Sequence, residues 1–303
     1  MRRDLRAYVS DCKHPATSAI VVSPHAGYRY AGATMGCAYA SLKTTGCKRV
    51  FVLGPSHFYA TSRCELSSFG AYATPLGAMS CDASVTNELA RTGAFGVMSR
   101  AVELKEHSLE MEIPFLMSVL PPDVTVVPIL VGNLSREQER SYGRLLAPYL
   151  ADGGNRFVVS SDFCHYGPAY GFAPFTKGGG DGGGDGGGDG GGGGGGNGDG
   201  GGDADDDGDG GDGSDGTDDV SRRIEALDMR GIASMRDTDA FARYFTETHN
   251  TICGRHAIAV VLEALAVHRS AKGANARLIA YAQSQHIDAP TQSAVSYAAV
   301  ALS

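Results

Sequence analysis

Four short runs, apolar almost from end to end, constrain this chain more than anything else in it: "SAIVVS" (18–23), "RVFVLG" (49–54), "VTVVPILV" (124–131) and "RFVVSS" (156–161). A strand with one wet face alternates apolar and polar residues. A run without alternation belongs in a sheet covered on both sides. Two further β-like runs come late, "RLIAYAQ" (277–283) and "SAVSYAAVAL" (293–302). Between the runs lie helical patterns at 82–93, 107–120, 135–150, 219–235, 237–248 and 253–268. Strands separated by helices predict an α/β fold with a single central sheet and helices on both faces.

The ends of three of these runs carry unusual chemistry. His25 follows the first in "VVSPHAGYRY", His57 follows the second in "RVFVLGPSHFY", and Asp162 and His165 follow the fourth in "RFVVSSDFCHYG". Ligands of open α/β sheets bind just beyond the carboxyl ends of the strands. If the three strands are neighbours, these four side chains meet in one cleft. Cys253, in "HNTICGRHAIAVVLEAL", precedes or begins a long helical pattern, where a helix N-terminus favours the thiolate. Imidazole and thiolate together suit iron, copper or zinc. A histidine and a cysteine also make a nucleophile and its base. Any one of the histidines alone is more often a loop residue satisfying backbone groups, and spacing leaves the metal site and that plainer reading evenly matched. His107, three residues before Glu110, reads as part of a helix start capped by Glu106 and Ser108 rather than as a ligand. Tyr28 and Tyr30 flank the His25 loop and either line the cleft or pack.

Composition narrows the classes. Residues 178–219 hold 25 of the 43 glycines, 13 Asp and no Lys or Arg, so the formal charge of −8 becomes +5 over the rest of the chain. That tract cannot bury apolar surface and repels itself, so it reads as a disordered insertion within one domain spanning 1–303. Its "GDGGDG" fits a nucleotide-loop pattern, but no strand precedes it and no helix follows. A balance of +5 without an arginine stripe gives little reason to expect nucleic acid as a partner. Seven scattered cysteines, none in a C-x-x-C pair, argue against a disulfide framework and a structural zinc. No apolar stretch reaches membrane-spanning length, and the N-terminus lacks a signal-peptide core, so a cytoplasmic location, or a nuclear one as well, is expected.

Eight segments in order resemble one known family: "PHAGYRYAG", "LGPSH", "RCELSS", "EHSLEMEIP", "VVSSDFCHYG", "THNTICGRH", "YAQS" and "AVSYAA". They look like the Memo family, named for a mediator of receptor-tyrosine-kinase-driven cell motility. The resemblance covers about residue 18 to 303 apart from the Gly/Asp insertion. It implies a fold similar to that of class III extradiol dioxygenases. It implies a pocket with His25, His57 and Cys253 as metal ligands for iron or copper, with Asp162, His165 and Tyr30 beside them. It also implies roles in redox balance and in docking phosphotyrosine peptides of receptor tails. A cysteine in place of the dioxygenase carboxylate makes ring cleavage a weaker expectation than metal binding. Members usually begin with a further segment bearing a tryptophan beside the pocket. This sequence has no Trp and starts beyond that point, which weakens peptide docking more than metal binding. Tyr166 stands where a Trp is common.

Overall fold

The computed structural model describes residues 1–175, 216–269, 274–289 and 291–303. The strands are β1 (Ile20–Ser23), β2 (Arg49–Pro55), β3 (Cys64–Leu66), β4 (Ala71–Thr74), β5 (Gly77–Ser80), β6 (Gly96–Val97), β7 (Thr125–Val131), β8 (Asn155–Ser160), β9 (His165–Tyr166), β10 (Ala276–Gln283) and β11 (Ala294–Leu302). The α-helices are α1 (Arg2–Ser10), α2 (Tyr28–Ser41), α3 (Ala83–Arg91), α4 (Arg100–Glu103), α5 (His107–Glu110), α6 (Glu112–Val119), α7 (Arg136–Ala151), α8 (Gly216–Ser234), α9 (Thr238–Thr248) and α10 (Arg255–Arg269). Most of the Gly/Asp tract lies outside the described residues. α8 begins at Gly216, three residues ahead of the expected helix start.

Nine strands form one mixed sheet in the order β10-β11-β1-β8-β2-β7-β3-β6, with β9 added on β11. The four apolar runs are its parallel centre: β1 pairs with β8, β8 with β2, and β2 with β7. Almost every residue in them is buried, because helices cover both faces. On one face Phe51 and Phe157 stack at 4.7 Å beneath α7, α9 and α10, which supply Leu146, Phe241 and Ile258. On the other, Val50, Val52 and Val158 meet Leu5 of α1, Met35 of α2 and Phe115 of α6. Each such aromatic or large aliphatic side chain taken wholly out of water contributes roughly 1.5–3 kcal/mol.

Local chemistry sets where the helices begin. Ser135 and Gln138 form a reciprocal capping box at α7, and Asp82 and Asp237 cap α3 and α9. Three helices went unread in the sequence: α1, α2 and the single turn of α4. α2 packs against α1 so closely that a Cβ on Gly36 would lie 2.3 Å from the Tyr8 carbonyl oxygen. Its glycines, which lower helix propensity, are what that contact needs. α1 lies across this small-residue face and buries Leu5. No described helix is long and apolar enough to cross a membrane.

Candidate metal centre

Because β1, β8 and β2 are adjacent and parallel, their carboxyl ends open on the same spot. His25, Asp162 and His57 therefore arrive together from three loops. Asp162 ties two of these loops: one carboxylate oxygen accepts from the backbone N–H of His25 at 2.9 Å and of Ala26 at 3.3 Å. Its second oxygen lies 4.0 Å from His25 Nε2. Burial raises the Asp162 carboxyl above its ordinary value.

The two strand-end histidines have fixed tautomers. His25, 2 % exposed, places Nδ1 2.7 Å from Ser160 Oγ, while that hydroxyl donates its proton to the Ser108 carbonyl at 2.6 Å. With its proton committed, the Ser160 oxygen accepts, so Nδ1 of His25 carries the hydrogen and Nε2 keeps its lone pair. His57 Nδ1 meets Glu106 Oε1 at 2.8 Å, and the other carboxylate oxygen takes the His57 backbone N–H at 2.7 Å. Burial opposes ionisation of Glu106, but these bonds and the Ser108 N–H win and bring it down to about 2. An ionised acceptor makes His57 Nδ1 the donor, so it is Nε2 that carries the lone pair when the ring is neutral. A carboxylate behind a histidine is the usual support for a metal-binding imidazole.

His107 completes the group. Its ring stacks on His57 at 4.5 Å and stands edge-on to His25 at 5.4 Å. One nitrogen from each of the three rings falls within 4.8 Å of the others, and this is the set of such donors found among the described residues. Burial, then the neighbouring imidazoles, lowers His25 and His107, so both rings are neutral at physiological pH, as ligands must be. The capping expected at this point is also present, since Glu106 accepts from Ser108 N at the start of α5. Capping and clustering coexist there, because the cap residue and the ring are different side chains. The preference for capping over a site role for His107 is corrected to that extent.

Cys253 approaches from the other side, with Sγ 3.4 Å from His25 Nε2 and 3.6 Å from the Asp162 carbonyl oxygen. The close seat depends on Gly254, where a Cβ would lie 2.4 Å from Ser161 Cβ. The thiolate expected from the helix N-terminus is not what the surroundings favour. Burial, then the Asp162 carboxylate, pushes the Cys253 thiol well up. A cation bound there would reverse that balance. A cleft of about 370 Å³ beside the N-terminus of α10 borders Cys253, Pro55, Asn133, Thr251 and His256.

His165 lies near Asp162 but outside the triad. Its Nδ1 donates toward the Phe163 and Thr251 carbonyls at 2.8 and 3.1 Å, leaving Nε2 bare, and its ring stands against Tyr170. Tyr30, 51 % exposed, sits on the first turn of α2 with the Arg29 guanidinium 4.8 Å from its ring centre. Tyr28 instead packs inward and donates to the Met111 carbonyl. Sequence reasoning passed over Glu112, treated above all as part of a motif, and Ser160, whose place at the end of β8 was the available signal.

The family profile described as "Memo-like protein" matches residues 1–301. The chain belongs to the Memo family. It is similar to Protein MEMO1 of Rattus norvegicus, 35% identical over 97% of this chain and 88% of that protein. Protein MEMO1 of Homo sapiens is 34% identical over the same shares. Protein memo-1 homolog of Caenorhabditis elegans is 32% identical over 93% of this chain and 71% of that protein. The mixed sheet flanked by helices agrees with the dioxygenase-like fold of the family.

Proposed function

We propose that this Memo-family chain binds one redox-active transition metal ion, iron or copper, at His25 and His57, with Cys253 and His107 as the further ligands. The observation that carries the reading is the tautomer lock: Ser160 and Glu106 hold the Nδ1 hydrogens and leave two bare Nε2 atoms beside a third imidazole. Neutral nitrogens with a thiol form a borderline-to-soft donor set, which suits iron and copper and disfavours magnesium and calcium. Asp162 and His165 then serve as neighbours that hold or pass protons. When bound, such a metal supplies one-electron redox chemistry in a cytoplasmic protein of redox control or signalling.

Anaerobic titration with Co(II), an optical stand-in for the reduced metal, tests this. One-to-one binding should vanish in His25→Ala and in His57→Ala. A sulfur-to-cobalt charge-transfer band should appear in the wild type and be missing in Cys253→Ser, while His107→Ala should weaken binding and keep the band. Unchanged stoichiometric binding in both His25→Ala and His57→Ala would sink the proposal.

A second reading is favoured by the exposed Tyr30 with Arg29 on its face, a surface suited to a phosphotyrosine peptide from a receptor tail. It requires peptide binding by metal-free protein that Tyr30→Ala and Arg29→Ala abolish.

A further inference from the structure

The close crossing of α1 and α2 brings two cysteines to one place, away from the metal centre. Tyr8 of α1 lies against two glycines of α2. A Cβ on Gly32 would lie 2.7 Å from the Tyr8 ring, and one on Gly36 would lie 2.3 Å from the Tyr8 carbonyl oxygen. The Tyr8 hydroxyl donates to the Tyr28 carbonyl at 3.4 Å, so this side chain runs along α2 toward its N-terminus. Long helical side chains lean toward the N-terminus of their own helix, so α1 itself advances toward the C-terminus of α2. Asp11 keeps helical angles and donates its N–H to the Ala7 carbonyl, which carries the chain one turn past Tyr8 to Cys12. Soon afterwards the chain is tied to α2 again. The Ala16 N–H donates to the Ser41 hydroxyl and the Ser18 N–H to the Ser41 carbonyl, both at 2.9 Å. The Ser41 hydroxyl in turn donates to the Cys37 carbonyl.

Cys12 is therefore bracketed between contacts at Gly36 and Ser41, the one stretch of α2 that holds Cys37. From Gly36 to Ser41 the helix rises only about 7.5 Å. Both cysteines are free and partly exposed, so a small oxidant reaches them, whereas Cys64 and Cys164 are buried. The two thiols also sense each other. Burial first, then the hydrogen bond and the charge of Cys12, push the Cys37 thiol up to about 12. Cys37 keeps its proton and directs it at the Cys12 sulfur.

We infer that Cys12 and Cys37 are a modification site: a hydroperoxide joins them in a reversible disulfide that fastens α1 to α2. The Cys12 sulfur attacks one peroxide oxygen and the O–O bond breaks. Water leaves when the oxidant is hydrogen peroxide, and Cys12 is left as a sulfenic acid. The Cys37 sulfur then displaces that hydroxyl, which departs as a second water with the Cys37 proton. In sum two S–H bonds are lost and one S–S bond forms, while the peroxide takes up two electrons and two protons. The closed loop contains β1, His25 and the first turn of α2. Closing it constrains the unfolded chain and so stabilises the oxidised protein. This goes beyond the metal reading and does not rest on it.

The test treats the reduced, metal-free full chain with equimolar hydrogen peroxide and maps its peptides by mass spectrometry without reduction. The Cys12 and Cys37 segments should appear as one cross-linked peptide, lighter by two hydrogens than the two apart, and dithiothreitol should separate them. The thermal midpoint of the oxidised wild type should exceed that of the reduced protein by roughly 5–10 °C. Cys12→Ser and Cys37→Ser should show neither the cross-link nor the rise. A Cys37 thiol still open to iodoacetamide after peroxide, or either cysteine joined to a different one, would overturn the inference. Should a serine variant fail to fold, the wild-type map decides, since absence of the cross-linked peptide refutes the site.

Discussion

Replacing Glu112 by Gln should stabilise the metal-free protein, and by more at higher pH. The carboxyl has an ordinary value of 4.5 and is raised to about 8 in the folded chain. From about pH 4.5 upward the unfolded chain releases this proton while the folded chain retains it. Stability therefore falls by about 1.4 kcal/mol for each pH unit until the folded carboxyl itself ionises near pH 8. The loss amounts to about 3 kcal/mol at pH 7 and levels off at about 5 kcal/mol above pH 8. Gln has nearly the same shape and can still accept from Tyr39, but it has no proton to lose. Constant differences, such as the quality of its amide contacts, cancel in the slope. Urea unfolding of both proteins in metal-free buffer, from about pH 5 to about pH 8, measures that slope. The stability gap should be small at the acid end and widen by about 1.4 kcal/mol per unit toward neutrality. Parallel profiles for the two proteins would refute the reasoning, because they would mean that Glu112 is already ionised in the folded chain.

Other variants probe different supports of the site. Glu106→Gln should weaken Co(II) affinity about 10- to 100-fold at unchanged one-to-one stoichiometry, since the amide has no charge and only one accepting oxygen for the His57 backbone N–H and Nδ1, which Glu106 serves with two; calorimetric titration reads this directly. Gly254→Ala forces a Cβ to within 2.4 Å of Ser161 Cβ and 2.7 Å of the Ser160 carbonyl. It should destabilise by about 1–3 kcal/mol in urea and shrink the sulfur-to-cobalt band as Cys253 is carried away from His25. Asp228 is fully buried and accepts from Asn250, Tyr281 and Ser296, which joins α8 to the strands and to the loop bearing Cys253. Asp228→Ala removes the shared acceptor of three donors, of which Asn250 and Ser296 keep the Tyr244 hydroxyl and the Cys164 carbonyl, and should cost about 1–3 kcal/mol in the same assay, whereas Asp228→Asn should cost less.

What the sequence disclosed follows from how the physics is written into it. The four central strands are buried on both faces, so their apolar runs stand out, and their parallel pairing places His25, His57 and Asp162 where the runs stop. β3 and β6, three and two residues long, are too short to display a period. α2 buries both its sheet side and the side under α1, so it carries no polar stripe, and Gly32 and Gly36 mimic a loop. His107 escaped because it reaches the pocket from a helix start on a crossover, not from a strand end. The state of Cys253 was misjudged for a different reason. A helix N-terminus is visible in the sequence, whereas the Asp162 carboxylate and the burial that outweigh it exist only once the chain has folded.

The central claim is that the three loops at the carboxyl edge of the sheet hold a metal through His25 and His57. Metal content after anaerobic purification, wild type beside a His25→Ala/His57→Ala double variant of equal stability, tests it most directly. The account predicts near-stoichiometric iron or copper in the wild type and none in the variant. Equal metal in both, or none in the wild type when reduced iron and copper are supplied, would contradict it.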